Sequence, residues 1–175
     1  GKDIRSFTPE ERTKKIGFIL QEPFLFTGTV KENILYGNIE NGGLDNDATL
    51  TLLEQVGVAE LISNFRDGLD TRVASTGDTV SLGQKQLVAF MRAVLPNPEI
   101  LILDEATANI DTVTEQLLEA ILKKLPSTTT KVIIAHRLST IENADDIFFV
   151  NGGTITEAGD MQHAMDLLLS GKRSS

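Results

Sequence analysis

Four polar residues stand directly after three short apolar runs of the chain: Gln21, Asp104, Glu105 and His136. Adjacent carboxylates can hold a divalent cation and serve as a general base, while an amide and an imidazole can contact anionic oxygen atoms. Taken alone, an Asp-Glu pair after a strand is more often the solvated start of a helix. The chemical interpretation therefore depends on what surrounds the pair.

The three apolar runs predict buried β-strands, at Ile16–Leu20, Ile100–Leu103 and Lys131–Ala135. Runs that are apolar on both faces are typical of a parallel sheet covered by helices. In open α/β sheets, ligands bind beyond the carboxyl ends of the strands. The pattern therefore predicts an α/β fold with a parallel-sheet core, and it places the four polar residues around one crevice.

Helical periodicity and turn residues predict the elements between and after these strands. Ser81 and Asp111 each precede an apolar stripe of helical spacing that ends at a proline, so both are candidate helix caps. Residues 44–65 also have a helical pattern, interrupted near Gly57. The sequence further predicts a β-hairpin around Asn151-Gly152-Gly153 and a final helix over Met161–Leu169.

Composition narrows the function classes. The 175 residues carry a formal charge of −9, with no Cys and two His, which excludes disulfide scaffolds, thiolate metal sites and cysteine nucleophiles. Residues 21–80 have three basic and ten acidic side chains, whereas residues 81–140 are balanced at six each. An acidic chain without a basic face is a poor binder of duplex nucleic acid, so no nucleic-acid partner is expected.

Four ordered motifs resemble those of ATP-binding-cassette (ABC) ATPases. Val80–Gln86 resembles the signature motif, and Ile100–Asp111 resembles the Walker B strand followed by the D-loop. Gln21 occupies the position of the Q-loop glutamine, and Ala135–Thr140 resembles the H-loop. The surrounding sequence, including Leu25-Phe26, is similar to the exporter branch, whose cassettes are fused to membrane domains.

The resemblance implies a catalytic role for three residues and a metal site. Asp104 and Gln21 would hold Mg²⁺, and Glu105 would be the general base that polarises the attacking water. His136 would donate to the γ-phosphate of ATP. Gln21 would sense the metal ion and the attacking water while its loop moves. Phosphoryl transfer depends on such positioning and charge stabilisation more than on covalent chemistry.

The resemblance also implies a nucleotide-binding set at the start of the signature helix. Ser81, Gly83 and Gln84 would bind the γ-phosphate of an ATP molecule held by a second cassette, in a head-to-tail dimer. A helix start offers unpaired N–H groups and a positive dipole end to such an anion. Leu82 replaces the usual glycine of the motif. Asp111 is equally a helix cap or a D-loop contact across the dimer.

The phosphate cradle G-x-x-x-x-G-K-[ST], or Walker A motif, does not occur in these residues. We expect the chain to be a cassette fragment with exposed apolar surface and little ATPase activity of its own. Its predicted parts are a core region (1–36), a helical subdomain ending in the signature (37–85) and the remaining core (86–175). The implied location is the cytoplasmic face of a membrane, through transmembrane domains absent from the chain.

Two other functions compete with an exporter cassette that couples ATP hydrolysis to transport. A soluble ABC ATPase acting on DNA would need a long coiled coil between Gln21 and Ser81, and only about sixty residues without heptads separate them. A non-catalytic interaction or regulatory module would be a cassette that lost its phosphate cradle in evolution.

Overall fold

The computed structural model describes residues 1–38, 41–74, 79–104, 111–134, 144–159, 162–163 and 165–166. Its α-helices are α1 Pro9–Lys15, α2 Val30–Leu35, α3 Asn46–Gln55, α4 Leu82–Val94 and α5 Thr112–Lys124. Its strands are β1 Ile16–Ile19, β2 Gly28–Thr29, β3 Arg72–Val73, β4 Ile100–Asp104, β5 Thr130–Ile134, β6 Phe148–Asn151 and β7 Thr154–Glu157. The chain divides into two compact units, residues 1–134 and 135–175.

The first unit is built on a three-stranded sheet in the order β1-β4-β5. Both pairings are parallel, with Ile19 opposite Leu103 and Asp104 opposite Ile134. All three strands coincide with the predicted apolar runs, so the α/β class with a parallel sheet is confirmed. The prediction that all three strands are buried is wrong for β5, where four of the five residues are exposed because no helix of the described residues covers that face. In parallel strands the carboxyl ends share one edge, which is the edge that the polar residues were predicted to occupy.

Helices cover one face of this sheet. The side chains of Ile19, Leu101 and Leu103 are buried in a core that includes the inner faces of α4 and α5. Residues on the opposite face are largely exposed: Phe18, Leu20, Ile100, Val132 and Ile134. The exposed apolar surface expected from the sequence is therefore present on this side of the sheet.

The helix α4 is the central element of the first unit. Ser81 caps its N-terminus, and nine of its thirteen residues are buried, including Phe90 and Met91. Asp111 caps α5 in the same way, with its side chain accepting from the backbone N–H of Thr114. Both predicted caps are confirmed. They satisfy backbone donors that the first turn of a helix leaves without partners.

The predicted helical stretch over residues 44–65 forms α3 and a 3₁₀ helix at Ala59–Asn64. Gly57 separates them with φ of 76°, a left-handed conformation that glycine adopts without strain. Two further 3₁₀ turns occur at Ile4–Ser6 and Gly68–Asp70.

The second unit contains the predicted hairpin. The strands β6 and β7 pair in antiparallel fashion across Gly152 and Gly153, whose φ values of 55° and 79° fit a type I′ turn. The predicted final helix over Met161–Leu169 lies mostly outside the described residues. Within the described ranges, no helix is both long enough and apolar enough to cross a bilayer.

Candidate functional site

The carboxyl edge of the sheet carries two of the predicted site residues. Asp104 is the last residue of β4 and is half-buried, and Gln21 follows β1 by two residues with an exposed side chain. The register that pairs Ile19 with Leu103 brings these two chain segments side by side. Two predicted catalytic residues, Glu105 and His136, lie outside the described residues, directly after Asp104 and two positions after the end of β5.

The second part of the site is the N-terminus of α4. Ser81 Oγ accepts from the N–H of Gln84 at 3.1 Å, and Gln84 Oε1 accepts from the N–H of Ser81 at 2.9 Å. This reciprocal capping box leaves the N–H groups of Leu82 and Gly83 facing away from the helix, because helical geometry gives them no carbonyl partner. Because the Ser81 hydroxyl accepts within the cap, its own proton remains available to donate.

The charge at this helix start suits an anion. Among the α-helices of the described residues, α4 is the one with no acidic side chain in its first turn. Acidic residues are common there because they complement the positive end of the helix dipole. An acid at that position would repel a phosphate, and α4 has none of its own, although the Asp111 carboxylate that caps α5 lies close to this helix start.

Asp111 lies directly against the start of α4. A Cβ atom placed on Gly83 would lie 2.9 Å from Thr114 Oγ1 and 3.1 Å from Asp111 Oδ2, so glycine permits this close approach. Hydrogen bonds from the N–H and hydroxyl of Thr114 hold the pKa of the Asp111 carboxyl below its usual range. Asp111 is therefore ionised at neutral pH and serves as a cap. A further contact across a dimer stays a prediction.

Gln84 has an additional partner in the helical region. Its Nε2 donates to the carbonyl of Asn64 at 2.7 Å, at the end of the 3₁₀ helix Ala59–Asn64. Both ends of the Gln84 amide are thus engaged within the chain. The side chain secures the helix start, and its predicted contact with a nucleotide remains untested.

Sequence reasoning assigned no role to two polar residues that join α4 to the segment after β1. Gln86 donates to the carbonyl of Gln21, and Arg92 donates to the carbonyls of Phe24 and Asn33. Burial lowers the pKa of the Arg92 guanidinium, which also lies 5.7 Å from the Tyr36 ring. The only signal in the sequence was the presence of Gln86 and Arg92 within the otherwise apolar stripe of α4.

Comparison with known proteins identifies the family. A family model described as "ABC transporter" matches residues 1–108. The chain belongs to the ABC transporter family. An uncharacterised ABC transporter ATP-binding protein of Bacillus subtilis is 43% identical over 159 residues, which are 91% of this chain and 26% of that protein.

Two other similar proteins are a fatty acid transporter and an exporter of known structure. The fatty acid ABC transporter ATP-binding/permease protein of Mycobacterium bovis is 40% identical over 160 residues, covering 91% of this chain and 25% of that protein. A solved structure of a bacterial Atm1-family ABC exporter with ATP bound aligns with a TM-score of 0.76 at 35% identity, over 97% of this chain and 29% of that one. The chain thus spans about a quarter of the length of these relatives.

Proposed function

We propose that this chain is part of the nucleotide-binding domain of an ABC exporter. In that role it binds ATP together with a second cassette, and hydrolysis reopens the dimer to drive transport through membrane domains. The membrane domains would hold the cassette at the cytoplasmic face of the membrane. Two features support this proposal: the carboxylate of Asp104 at the carboxyl edge of the sheet, and a helix start capped by Ser81 whose own first turn carries no acidic side chain.

The predicted residues have complementary tasks in this proposal. Asp104 and Gln21 act on the nucleotide bound by their own cassette, where they hold Mg²⁺. Glu105 accepts the proton of the attacking water. His136 orients the γ-phosphate. The N–H groups at the start of α4 and the Ser81 hydroxyl then bind the γ-phosphate of the partner cassette's nucleotide.

Asp104 and Gln21 also fit a magnesium site. A carboxylate and an amide oxygen are hard donors of the kind that Mg²⁺ prefers, and this ion keeps much of its shell as water and phosphate oxygen. Among the described residues no group of three or more His, Cys, Asp or Glu side chains comes together. When bound, Mg²⁺ supplies positive charge to the phosphates.

The competing functions have less support. The segment between Gln21 and Ser81 contains, in its described part, helices of six and ten residues, which are too short for a coiled coil. The relatives described above are transporters, and none of their names indicates action on DNA. A non-catalytic module remains the alternative that the next experiment addresses.

We expect the isolated 175-residue chain not to bind Mg²⁺-ATP with a Kd tighter than about 10 µM. The sequence does not contain the phosphate-cradle motif, whose backbone N–H groups and lysine hold the phosphates, and no other motif replaces it. Isothermal titration calorimetry would measure this, after circular dichroism has shown that the chain is folded. Tight, Mg²⁺-dependent binding of ATP would contradict the prediction that this chain cannot hold the nucleotide by itself. The full-length protein is the positive control, and failure of that protein to bind ATP would favour the non-catalytic module.

Substitutions at Ser81 separate its capping role from phosphate binding. Ser81→Ala should lower the free energy of unfolding of the chain by about 1 kcal/mol, whereas Ser81→Asp should retain stability because Asp is an equally good cap. In the full-length protein, both should lower ATP turnover at least about tenfold, since neither offers a hydroxyl donor to phosphate. Chemical denaturation and steady-state ATPase assays would test this. Normal ATP turnover in Ser81→Asp would refute phosphate binding by Ser81 and would show that its role is to cap the helix.

A further inference from the structure

Gln86 is a buried glutamine that joins α4 to the Q-loop segment, the main chain from Leu20 to Phe24. Its side chain lies on α4, two residues after Gln84, and is 0% exposed. Its Nε2 donates to the carbonyl oxygen of Gln21 at 2.8 Å and lies 3.4 Å from the carbonyl oxygen of Leu20. A single side chain therefore links the helix that begins at Ser81 to the main chain of the predicted metal-sensing glutamine.

The other end of the same amide has no compensating bond. Gln86 Oε1 is buried without a hydrogen-bond partner in the described part of the chain. An unsatisfied buried acceptor costs free energy, and an apolar side chain of similar volume would fill this position without that cost. Stability of packing alone therefore does not explain an amide here, whereas the bond to the Gln21 carbonyl does.

Arg92 holds the other end of the same segment. It donates to the carbonyl of Phe24 at 3.0 Å and, through Nε, to the carbonyl of Asn33 at 2.7 Å. The main chain from Leu20 to Phe24 is thus attached to α4 at both of its ends. Gln21 is one of the attached residues through its carbonyl oxygen, and its exposed side chain extends from this attached main chain.

We propose that Gln86 is a positioning residue that acts through Gln21. Because Gln86 binds the Gln21 carbonyl, the Q-loop segment moves when α4 moves. Phosphate binding at the Ser81 end of α4 is therefore coupled to the position of the Gln21 side chain. This inference rests on the proposed function, because it takes the roles of Ser81 and Gln21 from it. Gln86 itself is buried and does not contact the nucleotide.

The test is a double-mutant cycle in the full-length protein, with Gln86→Met and Gln21→Ala. Met has a similar volume and no donor, so Gln86→Met should lower kcat by roughly ten- to hundredfold, the scale expected when a reacting group is misplaced by about 1 Å. KM for ATP should change far less, and more Mg²⁺ should be needed for half-maximal rate. Because both substitutions remove the action of Gln21, the double variant should be no slower than Gln21→Ala alone.

Gln116→Met is the matched control, because Gln116 is an exposed glutamine on α5 outside the site. It should retain normal kcat. Additive losses in the double variant would overturn the proposal, and so would a Gln86→Met variant with lowered thermal stability and normal kcat per folded molecule. Loss of folded protein in both Gln86→Met and the uncharged Gln86→Leu would give Gln86 a purely structural role, which also overturns it.

Hydrogen exchange separates failure of this inference from failure of the proposed function. Amides between Leu20 and Phe24 should exchange several-fold faster in Gln86→Met than in the wild type or Gln116→Met. Unchanged exchange would contradict the attachment itself. Faster exchange, combined with full ATPase activity in Gln21→Ala, would support the attachment and refute the catalytic role that the proposed function gives to Gln21.

Discussion

Replacing Glu105 with Gln in the full-length protein is expected to lower ATP turnover by about 10²–10⁴-fold, the usual contribution of a general base. Glutamine has nearly the same shape but cannot accept the proton of the attacking water. Binding of ATP does not need that base, so ATP-bound cassette dimers should accumulate. Steady-state phosphate release would measure the rate, and size-exclusion chromatography with radiolabelled ATP would detect the trapped dimer.

Glu54→Gln is a suitable control for this substitution. Glu54 is an exposed residue of α3, away from the sheet edge, and its replacement should leave turnover unchanged. Unchanged hydrolysis in Glu105→Gln would remove Glu105 from the role of base. Loss of both turnover and ATP binding would instead indicate that Glu105 supports the site structurally. The prediction depends on the place of Glu105 in the sequence, immediately after Asp104, the last residue of β4.

The strands and the main helix caps could be predicted from sequence because their signals are local. A continuous apolar run ending at a polar residue predicts a buried parallel strand, and β1, β4 and β5 fall where such runs lie. Ser81 and Asp111 each combine a capping side chain with an apolar stripe that follows at once. Over thirteen residues that periodicity repeats often enough to be recognised.

The shorter helices lack that repetition. The helices α1 and α2 have seven and six residues, so a hydrophobic period of 3.6 residues has less than two turns in which to appear. Their clearest local signals are capping boxes, formed by Thr8 with Glu11 and by Thr29 with Glu32, and α1 also begins with a proline. Such a pattern at these two threonines indicates a helix start even where no periodicity follows.

The attachments of α4 to the Q-loop segment could not be predicted from sequence for a different reason. The bonds made by Gln86 and Arg92 join residues 59 to 68 positions apart in the chain. Their geometry depends on how α4 packs on β1, which is a tertiary property. A polar residue within an apolar stripe indicates that a buried partner is needed, but it does not say which carbonyl supplies the partner.

The close packing of α4 on β1 depends on Gly17, and Gly17→Ala is expected to destabilise the chain by about 1–3 kcal/mol. A Cβ atom there would lie 2.5 Å from the carbonyl oxygen of Ala93 and 2.8 Å from Leu101 Cδ1. The Leu101 methyl can turn aside, but the Ala93 oxygen belongs to the backbone of α4. The helix would therefore have to move away from the sheet. The midpoint temperature of thermal unfolding should fall by about 2–4 °C for each kcal/mol lost at this chain length.

Gly43→Ala provides the control, because a Cβ at Gly43 meets no atom within 4 Å and should cost little. Equal unfolding temperatures for the two variants would show that α4 and β1 are not in close contact. In the full-length protein, Gly17→Ala should also lower kcat beyond the loss of folded molecules, since α4 carries both Ser81 and Gln86. Restored turnover on replacing Leu101 with a smaller residue would instead locate the strain at the Leu101 methyl, because the Ala93 carbonyl would be unaffected by that change.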